Sequence, residues 1–320
     1  MDEFSLIDKL RNEFGEPSPG VEVGIGDDAA VVAAGPGLRW AVTTDALVEG
    51  VHFDTRYSDA RHLGMKALAV NLSDLAAMGA EPRHCLLALT VRDGLGERFF
   101  DELIVGIRRV AREHRVSIVG GNLSRAPILS ITVTAMGSLP GPSLTRAGGR
   151  PGDRLLVTGP LGDAAMGLAL LGRGSPLLAE DEQALVERQL APTPRVAVGQ
   201  ALRAMASAAI DISDGLVQDA GHLARASSCA ARIDAGRLPL SPAYRRLSQK
   251  EPDPLAAALA GGEDYELLFA VRPELVRTAT LTAQGVGSDL HEIGDLAEGA
   301  GVVVEEGGRA RHTPPGWRHF

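Results

Sequence analysis

The residues of this chain best suited to chemistry are carboxylates set in short turns beside glycine, serine and threonine. Gly24-Ile25-Gly26-Asp27-Asp28 places two adjacent acids on a glycine-rich bend. Glycine lets backbone approach a ligand closely, and aspartate supplies the hard oxygen that magnesium prefers. Taken alone, Asp27 reads more simply as a turn cap and Asp28 as a solvated acid. Thr43-Thr44-Asp45, followed by Glu49 and His52, sets hydroxyls beside a carboxylate where a short apolar strand is expected to end. Strand C-terminal ends are where α/β proteins bind ligands. His52 by itself reads as a structural histidine.

Asn71-Leu72-Ser73-Asp74 lies inside a predominantly apolar, helically spaced stretch. Burying an aspartate there is costly unless it is paired or coordinated, so Asp74 points to function, with an internal helix cap as the competing reading. Gly120-Gly121-Asn122-Leu123-Ser124-Arg125 follows an expected strand. Two glycines at a strand end turn backbone N–H groups toward a phosphate. Asp211-Ile212-Ser213-Asp214-Gly215 opens an expected helix and echoes Ser73-Asp74, which suggests that each half of the chain contributes one such pair. Gly261-Gly262-Glu263-Asp264-Tyr265-Glu266 sets three acids within four residues ahead of a strand. Each cluster alone is weak. Together they describe a site for several divalent cations and a polyphosphate.

The missing motifs narrow the chemistry. There is no G-x-x-x-x-G-K-[ST], no protein-kinase signature set and no H-E-x-x-H, and the chain has only three lysines, Lys9, Lys66 and Lys250. An ATP-using chain of this kind must neutralise phosphates with magnesium and with arginines such as Arg146.

The elements that position these residues alternate. Helical spacing over Ala60–Met78 and Phe99–His114 separates strand-like runs ending at Thr44, at Cys85–Val91, Val116–Val119 and Ile128–Met136. Glycine and proline crowd the stretch from Ser138 to Gly162 around one apolar strand, Arg154–Thr158, and mark a domain boundary. Beyond it, helices are expected at Asp181–Leu190, Pro194–Met205 and Leu216–Ala226, and strands at Leu267–Val271 and Val302–Glu305. The reading is a mixed α/β (α+β) fold in two domains, residues 1–140 and 141–320.

Composition agrees with a globular chain: 320 residues, 45% hydrophobic and 23% charged, with a mean hydropathy of +0.04. The net charge of −9 argues against nucleic acid and anionic membrane as partners. It leaves a phosphorylated substrate open, because divalent cations can supply the positive charge. Cys85 and Cys229 form no metal spacing and no disulfide framework, and Met1-Asp2-Glu3 is the wrong start for a secretory signal. A reduced, cytoplasmic location is expected, and no charge-free apolar stretch of roughly 20 residues spans a membrane.

The motifs in order resemble the thiamine-monophosphate kinase family, within the superfamily of aminoimidazole ribonucleotide synthetase, selenophosphate synthetase and a hydrogenase-maturation protein. The resemblance is nearly end to end, from Glu3-Phe4-Ser5-Leu6-Ile7 to Gly316-Trp317-Arg318-His319-Phe320. It implies an N-terminal ATP- and magnesium-binding α/β domain whose sheet joins a partner's into a barrel in a homodimer. A C-terminal α/β domain completes the nucleotide and substrate site. It also implies transfer of the ATP γ-phosphoryl group onto thiamine monophosphate. Carried over by position, Asp28, Thr43, Thr44, Asp45, Asp74, Asp211 and Asp214 hold several magnesium ions, with Asn122 where the family commonly has aspartate. Gly121, Arg146 and Ser213 meet ATP. His52, Glu263 and Trp317 meet thiamine monophosphate. A potassium ion as additional activator is left open. So are two alternatives: another ATP-using enzyme of the superfamily, and a non-catalytic nucleotide-binding homologue. The absence of a reactive cysteine in a glycine-rich N-terminal segment, and of a cysteine-bearing tail, favours the kinase.

Overall fold

Strand β3, Leu38–Val48, is the spine of the first half of the chain. The computed structural model describes residues 7, 11–12, 19–35, 37–174, 179–313 and 316. Beside β3 lie β1 (Val21–Val23), β2 (Ala30–Gly35), β4 (Glu81–Val91), β5 (Ser117–Arg125) and β6 (Ser130–Leu139). They form one six-stranded sheet in the order β1-β2-β3-β6-β4-β5, open within the chain. Strand β6 alternates half-buried and buried residues along its whole length, burying Ile131, Val133, Ala135 and Leu139 on one face.

That face is covered by helix α1, Ala60–Ala77. Asp59 caps it by accepting the His62 N–H at 3.0 Å. The sequence is rich in alanine and leucine, and nearly every position is buried, as in a helix enclosed on all sides. Because the helix runs unbroken through Ser73-Asp74, the internal-cap reading of that pair does not hold. Helix α2, Glu97–Glu113, connects the parallel strands β4 and β5 and packs on α1 through a glycine pair. A Cβ on Gly64 would lie 2.2 Å from the Leu103 carbonyl oxygen, and one on Gly106 would lie 2.0 Å from that of Arg61.

The second sheet comprises β7 (Arg154–Val157), β8 (Ala206–Asp211), β9 (Ala230–Asp234), β10 (Leu267–Val271), β11 (His291–Ala297), β12 (Gly301–Glu306) and β13 (Arg309–Ala310). Their order is β13-β12-β9-β11-β7-β10-β8, and β9 with β12 is the parallel pair. Strand β10 is a continuous apolar run because both its faces are buried. Leu267, Phe269 and Val271 join the core that contains α1, while Leu268 and Ala270 join a second core on the far face. Helices α3 (Asp163–Gly172), α4 (Glu180–Leu190), α5 (Val196–Leu202) and α6 (Leu216–Ala226) complete the elements that matter for the site. Helix α1 is therefore held between the two sheets.

Two local expectations change. Strand β3 continues to Val48, so Thr43, Thr44 and Asp45 lie mid-strand rather than at its end. Gly120 and Gly121 lie inside β5, paired with Leu86 and Leu87 of β4. A Cβ at Gly121, whose φ is 156°, would stand 1.7 Å from the Leu87 carbonyl oxygen. Close strand approach is thus sufficient reason for glycine there. Among the described residues, no helix is long and apolar enough to cross a membrane.

Candidate active site between the two sheets

Three carboxylates from distant parts of the chain converge where α1 meets the second sheet. Asp28 comes from the turn before β2, Asp74 from α1 and Asp211 from the end of β8. Each offers an oxygen, and the three oxygens lie within 4.8 Å of one another. Every member is fixed locally. Asp28 Oδ1 accepts from Arg146 Nη2 at 2.5 Å and Nε at 3.1 Å. Asp74 Oδ2 accepts from Thr43 Oγ1 at 2.5 Å, and Asp211 Oδ2 accepts from Ser73 Oγ at 2.6 Å.

The electrostatics follow from crowding like charges in a dry space. Burial raises Asp28, with Arg146 opposing. Burial, then Asp28, pushes Asp211 up to about 8. Burial, then Asp45, Asp211 and Asp28, pushes Asp74 well above the usual carboxylate range. Against its own burial, Arg146 is held charged by Asp28, Asp27 and Asp211. One guanidinium cannot neutralise all of these acids at once. In addition, Asp28 Oδ2 is buried and accepts no hydrogen bond from any described residue. An orphaned carboxylate oxygen beside two further carboxylates fits a hard divalent cation, which supplies charge and fills the open coordination together.

Strand periodicity separates the neighbouring residues. Thr43 and Asp45 face α1, where the Asp45 N–H donates to Asn71 Oδ1 at 3.0 Å. Thr44 projects to the opposite face of β3, where its hydroxyl bonds the Val133 carbonyl and the Thr134 hydroxyl, each at 3.1 Å. His52 sits in the turn after β3, its Nδ1 accepting the Val48 N–H at 3.1 Å. Asp27 is a turn acid after all, accepting the N–H groups of Asp28 and Arg146, and burial, then Asp28, raises it to about 6. Asp28, by contrast, is buried rather than solvated.

Asn122 and Gly121 stand apart within the chain. Gly121 shares a cross-strand row with Leu87, Val133 and Asp45. At a strand spacing of about 4.8 Å, three steps put it roughly 14 Å from Asp45. Both residues lie on β5, a sheet edge exposed along its whole length.

The Asp211–Gly215 turn is shaped by an acid that sequence reading passed over. Asp219, in the first turn of α6, accepts the N–H groups of Ser213, Asp214 and Gly215 through Oδ2, at 3.1, 3.0 and 3.1 Å. Its signal was an acid in the first turn of a helix that follows a glycine. Asp214 Oδ2 accepts from Gln218 Nε2 at 3.0 Å, and the Ser213 carbonyl accepts the Glu263 N–H at 2.7 Å. Glu263 Oε1 lies 2.6 Å from Lys66 Nζ on α1. Trp317 lies outside the described residues.

Two open sheets clasping one buried helix, with acids gathered at the junction, define an AIR synthase related protein. Residues 26–139 match the N-terminal domain of that class, and residues 150–306 match its C-terminal domain. The chain belongs to the thiamine-monophosphate kinase family. It is 45% identical over 285 residues to the thiamine-monophosphate kinase of Escherichia coli K12, covering 88% of this chain and 86% of the relative. It is 36% identical over 319 residues to that of Aquifex aeolicus, covering 99% and 98%. A solved structure of AaThiL complexed with AMPPCP and TMP superposes with a TM-score of 0.89 at 36% identity, covering 100% of this chain and 97% of that one. The thiamine-monophosphate kinase of Stenotrophomonas maltophilia K279a gives 0.80 at 41% identity, covering 97% and 98%.

Proposed function

We propose that this chain transfers the γ-phosphoryl group of ATP directly onto the phosphate of thiamine monophosphate, yielding thiamine diphosphate and ADP. The observation that carries the reading is the convergence of Asp28, Asp74 and Asp211, with Asp28 Oδ2 left without a donor. Family membership and the relative complexed with AMPPCP and TMP support the choice of substrates.

Both reactants are anionic, so catalysis reduces to in-line positioning and charge neutralisation. The accepting phosphate oxygen is already ionised near neutral pH, so no general base is required. Several magnesium ions, when bound, would supply the positive charge that screens the two phosphates. We assign their ligands to Asp28, Asp45, Asp74, Asp211 and Asp214, assisted by Thr43, with Thr44 and Asn122 as more remote members. Arg146 brings a guanidinium to the edge of the carboxylate group, where it can meet a phosphate, and Gly121 and Ser213 are assigned to ATP. His52, Glu263 and Trp317 are assigned to thiamine monophosphate. The Val48 N–H donated to His52 Nδ1 favours the tautomer that carries its proton on Nε2.

Three coarser features complete the proposal. The chain divides near residue 140 into the two domains, 1–140 and 141–320. It is homodimeric through β5, whose exposed Val119 and Leu123 would otherwise leave an apolar sheet edge in water. It works in the cytoplasm, in keeping with the free thiols of Cys85 and Cys229.

The test is turnover. Purified chain with ATP, magnesium and thiamine monophosphate is expected to yield thiamine diphosphate and ADP in equal amounts. ATP binding without that product would leave the non-catalytic homologue as the correct reading.

A further inference from the structure

Lys66 is the residue that the carboxylate chemistry leaves unexplained. Its side chain is 4% exposed, and its ammonium reaches across from α1 to Glu263, on the loop that enters β10. Lysine is almost never buried this deeply unless it is paired. The other oxygen of Glu263 accepts from Gln189 Nε2 of α4, a residue that is itself buried. Two donors from two helices thus hold one carboxylate.

The backbone under Glu263 is equally constrained. Glu263 has φ 59° and Tyr265 φ 50°, both in the left-handed region that non-glycine residues avoid. The loop stays there because the Glu263 N–H bonds the Ser213 carbonyl at 2.7 Å and the Tyr265 N–H bonds the Ile212 carbonyl at 2.8 Å. Backbone strain held in place by surrounding contacts gathers at ligand-binding positions. A contact made only for stability would need neither that strain nor a buried charge, since apolar packing serves as well or better.

We propose that Lys66 is a positioning residue for thiamine monophosphate, acting through Glu263; this rests on the assignment of Glu263 to that substrate. With both carboxylate oxygens tethered, Glu263 is held in one orientation, and its remaining lone pairs can accept from N–H donors of the organic end of the substrate. Helix α1 carries Asp74 eight residues after Lys66, about 12 Å along the axis. One rigid helix therefore fixes the carboxylate that recognises the organic end of the substrate and the carboxylates at its phosphate end. Lys66 sets the distance between them.

Steady-state kinetics of Lys66→Met, Lys66→Arg, Glu263→Gln and the double variant Lys66→Met/Glu263→Gln test this. Lys66→Met is expected to raise KM for thiamine monophosphate about tenfold or more, and KM for ATP less than about twofold. Lys66→Arg is expected to fall in between. The double variant is expected to be no worse than Glu263→Gln alone, because Lys66 acts only through Glu263. An unchanged KM for thiamine monophosphate in Lys66→Met, a parallel rise in both KM values, or additive losses overturns the proposal. If Glu263→Gln itself leaves that KM unchanged, the substrate assignment of Glu263 fails first and takes the proposal with it. Should Lys66→Met not fold, Gln189→Met, which frees the other oxygen, carries the same comparison. Failure of every Lys66 variant to fold, with normal kinetics in Gln189→Met, makes Lys66 structural and ends the proposal.

Discussion

Ser73 Oγ donates to Asp211 Oδ2 over 2.6 Å, joining residues 138 apart in sequence. The bond ties the buried helix of the first sheet to the end of β8 in the second. Asp74 follows Ser73 directly, so the turn of helix that makes this tether also aims a carboxylate at Asp28 and Asp211. The site exists because one helix is packed against both sheets. Its geometry is as rigid as that packing.

Ser73→Ala removes a donor from a buried carboxylate and leaves no water-sized replacement group. Leaving a buried carboxyl oxygen without its donor costs about 1–3 kcal/mol. We expect destabilisation in that range by urea denaturation without magnesium, with the denaturant slope unchanged. A loss under about 0.5 kcal/mol would mean that the tether carries little of the junction.

Asp74→Asn is expected to separate stability from activity. Burial, then Asp45, Asp211 and Asp28, raise Asp74, so a neutral amide relieves both desolvation and repulsion in the metal-free protein. Thermal melting in chelator should occur at or above the wild-type temperature, while kcat falls by about a hundredfold or more. Lower stability together with full turnover would remove Asp74 from the metal-binding group.

Much of this arrangement was legible in the sequence, for a physical reason. Leu216–Ala226 forms where expected because its helical spacing follows a glycine, and Leu267–Val271 because it is an unbroken apolar run behind glycines and acids. Asp74 stood out because an acid within an apolar helix requires a partner. The missed features are those that only tertiary contact defines. Strand β8 has the sequence Ala-Ser-Ala-Ala-Ile-Asp, with little β-propensity, and is a strand because β10 pairs with it. That Thr43 and Thr44 face opposite ways follows from strand period, but only once Thr43 is known to lie inside β3. Gly121 read as a phosphate-facing glycine, yet its strand neighbour Leu87 already demands one.

Rising pH should weaken the metal-free fold. Asp211 is raised from 3.8 to about 8, and Asp27 to about 6, while Asp28 and Asp74 are also raised. Between the unfolded and folded values the native chain holds protons that the unfolded chain has released, so stability falls as pH rises. The loss begins near pH 4, and the part that Asp211 contributes is complete above about 8. Melting in chelator at about pH 6 and about pH 8.5 should show the lower temperature at the higher pH. Magnesium favours the ionised carboxylates and should shrink or reverse that difference. A flat profile without metal would contradict the crowding of charges described above.

Asn122→Asp tests the position at which the resemblance to the family implies aspartate. Asn122 is exposed within the single chain, so in the separated protomer the change should leave the melting temperature within about 1 °C. If β5 reaches a metal in the assembled enzyme, the added charge should lower the magnesium concentration for half-maximal rate by a few-fold. An identical magnesium titration would take Asn122 out of the metal-binding set and leave β5 a purely structural edge.

Asp219→Ala should disable the site without touching any residue assigned to metal or substrate. The side chain of Asp219 is the acceptor that gathers three successive N–H groups at Ser213, Asp214 and Gly215. Removing it leaves three N–H donors, one buried and two half-buried, without that acceptor and frees the turn between Asp211 and α6. The same turn provides the carbonyls of Ile212 and Ser213, on which Tyr265 and Glu263 depend for their left-handed backbone. Loss of the cap therefore disturbs the metal-facing and substrate-facing sides together. We expect a destabilisation of about 3 kcal/mol, kcat lower by at least tenfold, and higher KM for both substrates. Asp219→Asn keeps one acceptor oxygen and should recover much of the stability. Were Asp219→Ala to melt and turn over like the wild type, the turn would be held by its own backbone, and Asp219 would be dispensable.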